Sequence, residues 1–208
     1  MSFLENLINE CDIALKTLSF KKSGTDRPYP SDKNTLNLTK EEKNLSAELM
    51  RVNLAGEVAA QALYRGQAMV CKDKEVKAHL IQAGEEETDH LIWCKKRLGD
   101  LDGRPSILNP IWYAGSFAIG AFFGSMGEKT SLGFVEETEK QVVKHLERHL
   151  DRVSKNDEET IDILKTMRAD EDEHAQEANE NGSESLSGPT KKIMSVTAKV
   201  MTSSSAYI

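Results

Sequence analysis

Two stretches of this chain place a carboxylate three residues before an imidazole: Glu87 and His90 in "EEETDHLIWC", and Glu171 and His174 in "DEDEHAQEA". Residues three apart share one face of a helix. In both stretches that face is apolar. Leu80, Ala83, Leu91 and Cys94 accompany the first pair, and Leu164, Met167, Ala175 and Ala178 the second. Two lone acids sit on similar seams. Glu57 shares its face with Asn53, Ala60 and Tyr64, and Glu139 with Val135, Val142, Val143, Leu146 and Leu150. Glu57 precedes Glu87 by 30 positions and Glu139 precedes Glu171 by 32. The chain therefore reads as two helix pairs, each with a lone Glu followed by Glu-x-x-His, a repeat of chemistry rather than of overall sequence.

Burying an unpaired carboxylate costs several kcal/mol even after relaxation, so four on facing seams would oppose folding. Two divalent cations would neutralise them. Each ion would take a terminal Glu and a His, with Glu87 and Glu171 bridging. Oxygen donors mixed with imidazole suit iron or manganese, whereas structural zinc more often takes thiolate. Such a set is expected of a ferritin-like di-metal bundle. One Glu-x-x-His in an acidic chain reads as a surface pair. Two on apolar faces, with matched lone carboxylates, point to Glu57, Glu87, His90, Glu139, Glu171 and His174 as metal ligands.

Neighbouring polar residues are less well placed. Glu85, Glu86 and Asp89 point off the stripe, either to solvent or behind the ligands, and Glu85 and Glu86 are expected to face water. Asp170 and Glu173 also lie off it, although Asp170 could orient a ligand imidazole. Glu136 and Glu137 compete with Glu139 but share their faces less with apolar residues. His145 reads as packed or exposed rather than as a ligand. Tyr64 reads as core, with a redox or substrate-positioning role as the lesser alternative.

The elements that must hold these residues are helices. The 208 residues, 29% of them charged, are long enough for one domain with a real core. A capping box, Thr39 with Glu42, opens a helix running to about Val70. Others run from about Asp73 to Leu98, Leu132 to Val153 and Glu158 to Asn179. No strand-like alternation extends over a useful length. The expected fold is all-α: a ferritin-like four-helix bundle with an apolar crossover helix and short terminal helices. Within a single domain spanning 1–208, residues 1–38 form an N-terminal amphipathic helix and linker, 39–180 the bundle core and 181–208 a tail. The tail carries Ile193, Val196, Val200 and Met201 on one side. The linker "KKSGTDRPYPSDKN" is expected to lie on the surface. Residues 106–127, "SILNPIWYAGSFAIGAFFGSMG", carry no charge before Glu128 but hold Asn109, Pro110 and several glycines. That makes them a poor membrane span and a better buried or interfacial helix. The net charge of -7 argues against nucleic-acid binding. Cys11, Cys71 and Cys94 show no paired spacing, which favours a reducing compartment. The N-terminus lacks the basic start and apolar core of a signal peptide.

The stretches "RVNLAGEVAAQALYRGQA", "EEETDHLIWC", "GRPSILNPIWYAGSFAIGAFFG", "ETEKQVVKHLERHL" and "DEDEHAQEA" together resemble the demethoxyubiquinone hydroxylase family in its bacterial form. The resemblance runs from about Pro28 into the tail, and the family's metal ligands match the same six residues. It implies a ferritin-like di-iron carboxylate protein with two Fe ions per chain. It implies a monooxygenase that uses O2 to hydroxylate the ring of a demethoxyubiquinol in ubiquinone biosynthesis; the alternative is a ferritin-like ferroxidase. Asn53-Leu54 departs from the His or Asp-His common in the family. The isoprenoid substrate implies a peripheral protein at the cytoplasmic face of the cell membrane, with residues 106–127 dipping into the interface or walling a tail channel. Trp112 and Tyr113 would suit an interfacial position. Electrons would come from a partner protein or a small reductant. A homo-oligomer or a ubiquinone-biosynthesis complex are further partners the resemblance leaves open.

Overall fold

A computed structural model describes residues 3–21, 23–33 and 37–208. Met1 and Ser2 of the expected N-terminal helix, and Lys22 and Asn34 of the expected linker, lie outside the described residues. Seven helices and no strand occur among those described: α1 (Phe3–Leu18), α2 (Lys40–Val70), α3 (Lys74–Asp100), α4 (Asn109–Ser125), α5 (Glu128–Arg152), α6 (Glu158–Glu180) and α7 (Gly188–Ser205). The four longest, α2, α3, α5 and α6, form the bundle, and α4 is the crossover between its halves.

Local chemistry sets the helix ends. Thr39 accepts from the Glu42 backbone N–H while the Glu42 side chain accepts from the Thr39 backbone, closing the expected capping box. Asp73, Asp157 and Ser187 cap α3, α6 and α7 in the same sense. The connections between α2 and α3 and between α5 and α6 are short, which makes each pair an antiparallel hairpin.

The core gathers residues from every bundle helix, among them Leu49, Leu54, Leu91, Leu98, Leu146, Leu164 and Met167. A buried ionic network closes one end. Arg97 of α3 donates to Thr160 Oγ1 (2.9 Å), Glu159 (2.6 Å) and Asp157 (2.7 Å) at the start of α6. Each nitrogen of its planar fork thus meets an acceptor, a requirement for burying such a group without large cost.

Residues 23–33 depart from the expectation of a plain surface linker. They form a strap over α3 and α6. Tyr29 donates to Glu159 (2.9 Å) and Ser31 to Asp162 (2.9 Å), and Lys33 pairs with Glu158 (3.1 Å).

The apolar crossover docks on α2 through glycines. A Cβ at Gly66 would collide with the Phe117 carbonyl oxygen, and one at Gly120 with the Leu63 carbonyl oxygen. The two backbones therefore approach as only glycine allows. The opposite side of this segment carries Ile107, Ile111, Phe122 and Met126, with Ile107 75% and Phe122 61% exposed. Tyr113 does not present itself as an interface aromatic. Tyr113 is buried, and the Trp112 indole donates to Ser205 of α7 (3.0 Å). Tyr113 lies on the side of α4 that packs inward, and Trp112 is half-buried at the border with α7.

This packing reverses the usual effect of replacing helix glycine by alanine. Gly115→Ala, with no atom near its added Cβ, should stabilise by about 0.5–1 kcal/mol. Gly120→Ala should destabilise by about 1–3 kcal/mol. Thermal melting of the two variants should show shifts of opposite sign; shifts of the same sign would refute the close approach.

Candidate metal centre

Each bundle helix delivers at least one carboxylate to the same interior volume. Glu57 comes from α2, Glu87 and His90 from α3, Glu139 from α5, and Glu171 and His174 from α6. All six are at most 5% exposed. Ligand atoms of Glu57, Glu87, His90 and Glu171 lie within 4.8 Å of one another. Glu139 and His174 stand outside that tight group but contact the same neighbourhood.

The two central carboxylates divide their oxygens between the two rings. Glu87 sets Oε2 at 3.1 Å from His90 Nδ1 and Oε1 at 3.1 Å from His174 Nδ1. Glu171 sets Oε1 at 3.2 Å from His90 Nδ1 and Oε2 at 3.6 Å from His174 Nδ1. Glu57 Oε2 lies 3.8 Å from His90 Nδ1. Glu139 accepts from the Tyr64 hydroxyl at 2.7 Å.

Both rings therefore aim Nδ1 into the carboxylates. Their outer nitrogens have separate partners: His90 Nε2 meets Asp170 at 2.9 Å and His174 Nε2 meets Glu86 at 2.9 Å. The arrangement is reciprocal. The acid before Glu171 holds the histidine of α3, and the acid before Glu87 holds the histidine of α6. A carboxylate on the outer nitrogen fixes ring orientation and tautomer, leaving the inner lone pair for a cation.

Electrostatics show what the centre lacks. Burial, and next the charge of Glu87, push the Glu57 carboxyl well above its usual range. Burial, and next Glu171, do the same to Glu139. Burial also opposes ionisation of Glu87, but His90 and His174 overcome it and hold that carboxyl low. Both histidines are raised against burial by the surrounding carboxylates. Even so, Glu87 Oε1, Glu171 Oε2 and His174 Nδ1 have no aligned hydrogen-bond partner. Buried polar atoms without partners are costly, and here three of them point at one another. A pair of cations among these oxygens and nitrogens would satisfy them, so the donor set fits hard divalent metals.

Glu85 is exposed, as expected. Glu86 is not free in water, because it is drawn onto His174. Asp89 is buried rather than solvent-facing: it accepts from the Thr25 backbone N–H (3.0 Å) and from its hydroxyl. Asp170 does meet a histidine of the cluster. Glu136 engages Lys140, Ser183 and Asn179, and Glu137 engages Gln141 and Lys191, both away from the cluster. His145 lies against His149, ring centroids 4.0 Å apart, further along α5. The position of Glu86 was signalled by its place before Glu87, which mirrors Asp170 before Glu171.

The family described as ubiquinone biosynthesis protein COQ7 matches residues 44–205. A 3-demethoxyubiquinol 3-hydroxylase of Legionella pneumophila (strain Lens) is 49% identical over 210 residues, covering 100% of this chain and 98% of the relative. Proteins of the same name from Francisella tularensis subsp. novicida and Xanthomonas euvesicatoria pv. vesicatoria are 47% and 45% identical. They cover 97% and 95% of this chain and 96% and 91% of their own lengths.

Burial and mutual repulsion raise Glu57 and Glu139 above their unfolded values, so the contribution of these two groups to metal-free stability is largest at low pH and is lost as pH rises through their raised values. Removing one charge should relieve this. Metal-free Glu57→Gln should melt higher than the native chain at pH 7, at roughly 2–4 °C per kcal/mol gained. Mn(II) or Co(II) should raise the melting temperature of the native chain more than that of the variant. A metal-free variant that melts lower would contradict the repulsion.

Proposed function

The chain belongs to the COQ7 family of ubiquinone biosynthesis proteins, and from that membership and the buried cluster we propose that it is a 3-demethoxyubiquinol 3-hydroxylase that works as a di-iron monooxygenase. The observation that carries the di-iron reading is the division of Glu87 and Glu171 between the two imidazoles. These two carboxylates would bridge two irons. Glu57 and His90 would complete one position, and Glu139 and His174 the other.

When bound, the iron pair would supply electrons to O2 so that a ring C–H becomes C–OH and the second oxygen atom leaves as water. The balance needs two electrons from a donor, either a partner protein or a small reductant. The chain's own residues prepare that chemistry. Asp170 and Glu86 hold the outer nitrogens of the two rings, so that both inner nitrogens face the carboxylates. Tyr64 fixes one oxygen of Glu139. Buried Leu54, Val58, Leu91, Leu146 and Met167 exclude water from the surrounding core, which strengthens every charge interaction inside it.

A demethoxyubiquinol carries an apolar isoprenoid tail, so the substrate comes from a membrane. No helix among the described residues is long and apolar enough to cross one. The outward stripe of Ile107, Ile111, Phe122 and Met126 supports a peripheral contact, which we place at the cytoplasmic face of the cell membrane. An iron-storage protein has no use for such a stripe.

Purified protein should hold two irons per chain. Glu87→Ala or His174→Ala should lose most of that iron together with hydroxylation. The native gene should restore ubiquinone to a strain that accumulates demethoxyubiquinone. Stoichiometric zinc in the active protein, or full activity in Glu171→Ala, would sink the di-iron reading.

The membrane contact has its own test. Because the crossover is locked onto α2, deleting it would disturb the fold, and surface changes are the cleaner probe. Ile111→Glu combined with Phe122→Glu should abolish co-sedimentation with liposomes while leaving iron content unchanged. Undiminished liposome binding would place the contact elsewhere.

A further inference from the structure

The two histidines of the cluster are held unequally. Asp170, behind His90, is gripped by a guanidinium from the strap: Arg27 Nη2 donates to Oδ1 at 3.0 Å and Nη1 reaches Oδ2 at 2.8 Å. The same guanidinium lies over Trp93, its central carbon 5.1 Å from the ring centroid. Trp93 in turn packs against His90 with centroids 5.3 Å apart. Arg27, Asp170, His90 and Trp93 thus form a closed cycle of contacts. Among the described residues no Lys or Arg forms an ion pair with Glu86, behind His174; Arg27 reaches it only through its longer-range field. The other oxygen of Glu86 takes only the Gln82 amide at 3.1 Å, and the side chain is 28% exposed against 15% for Asp170.

The strap is shaped to deliver Arg27. Thr25 anchors on Asp89, and Asp26 turns through the left-handed region at φ 63°, a conformation that Asp tolerates better than most residues. Arg27 then faces α6. A planar fork that binds both carboxylate oxygens leaves the Asp170 side chain one orientation, and a lysine cannot reproduce both the fork and the stacking.

We infer that Arg27 is a positioning residue that fixes His90, through Asp170 and Trp93, as a ligand of the tighter of two metal positions, and that metal binding there in turn secures residues 23–33. This rests on the two-metal reading above. The reciprocity follows from linkage: if the strap favours metal, metal favours the docked strap by the same factor.

The test is Co(II) binding to the full chain, measured by competition with a chromophoric chelator. The native chain should bind two ions with unequal affinity. Arg27→Gln should weaken the tighter position by roughly 10–100-fold, the range for loss of a group that orients a ligand, and leave the weaker one unchanged. Arg27→Lys should restore only part of the loss. Tyr29→Phe, which removes one of several strap anchors without touching Asp170, should weaken the tighter position far less than Arg27→Gln does. Amide exchange across residues 23–33 should slow on adding Co(II) in the native chain but not in Arg27→Gln. Unchanged affinities in Arg27→Gln, or an equal loss in Tyr29→Phe, would overturn the role of Arg27 while two-metal binding stands. A native chain that takes up no Co(II) would overturn both.

Discussion

Four carboxylates and two imidazoles buried in one interior volume are the constraint on which this structure depends. Nothing in an apolar core tolerates such a set unless its charges are balanced. The arrangement goes as far as side chains alone can. Histidines lean on the central acids, two outer acids pair with the histidines, and Tyr64 caps Glu139. Three buried atoms still lack partners. The bundle is thus a fold whose interior favours a guest of positive charge, and each helix contributes to holding that guest's place.

The remaining architecture follows from keeping that interior rigid and reachable. Every bundle helix contributes ligand-type atoms, so the positions of all four are coupled through one small volume. The crossover helix is seated by backbone-to-backbone contact against α2, the helix that carries Glu57 and Tyr64. An outward apolar surface and an inward polar centre therefore share one stiff pair of helices. The strap closes the opposite side, where α3 and α6 present Asp89 and Asp170.

Much of this was legible in the sequence, because helical periodicity is a local signal. The apolar stripes place Glu57, Glu87, His90, Glu139, Glu171 and His174 on inward faces, and the structure gathers them. The all-α class and the Thr39 capping box follow from equally local patterns. What escaped the sequence is non-local. Arg27 and Asp170 are separated by 143 positions, and nothing in "KKSGTDRPYPSDKN" marks one of its cations as a clamp. Asp89 sits off the apolar stripe and would face water on a bare helix; the strap that buries it comes from a segment rich in turn residues. The inward side taken by Tyr113 is hidden from the sequence for a related reason. An apolar run without charges gives no clue to which side faces its neighbour, and the glycines that settle the matter do so only once α2 is beside them.

The buried fork of Arg97 has a consequence for alignment. Arg97 lies on α3 about two turns beyond His90, and its acceptors Asp157, Glu159 and Thr160 open α6. A slide of α3 along α6 by one helical turn, about 5.4 Å, would part Glu87 from His174 and His90 from Asp170. It would also part the buried Arg97 guanidinium from its three acceptors, a penalty of several kcal/mol. The network acts as a registration pin between the two hairpins. It favours the alignment in which Glu87 and Glu171 each meet both imidazoles.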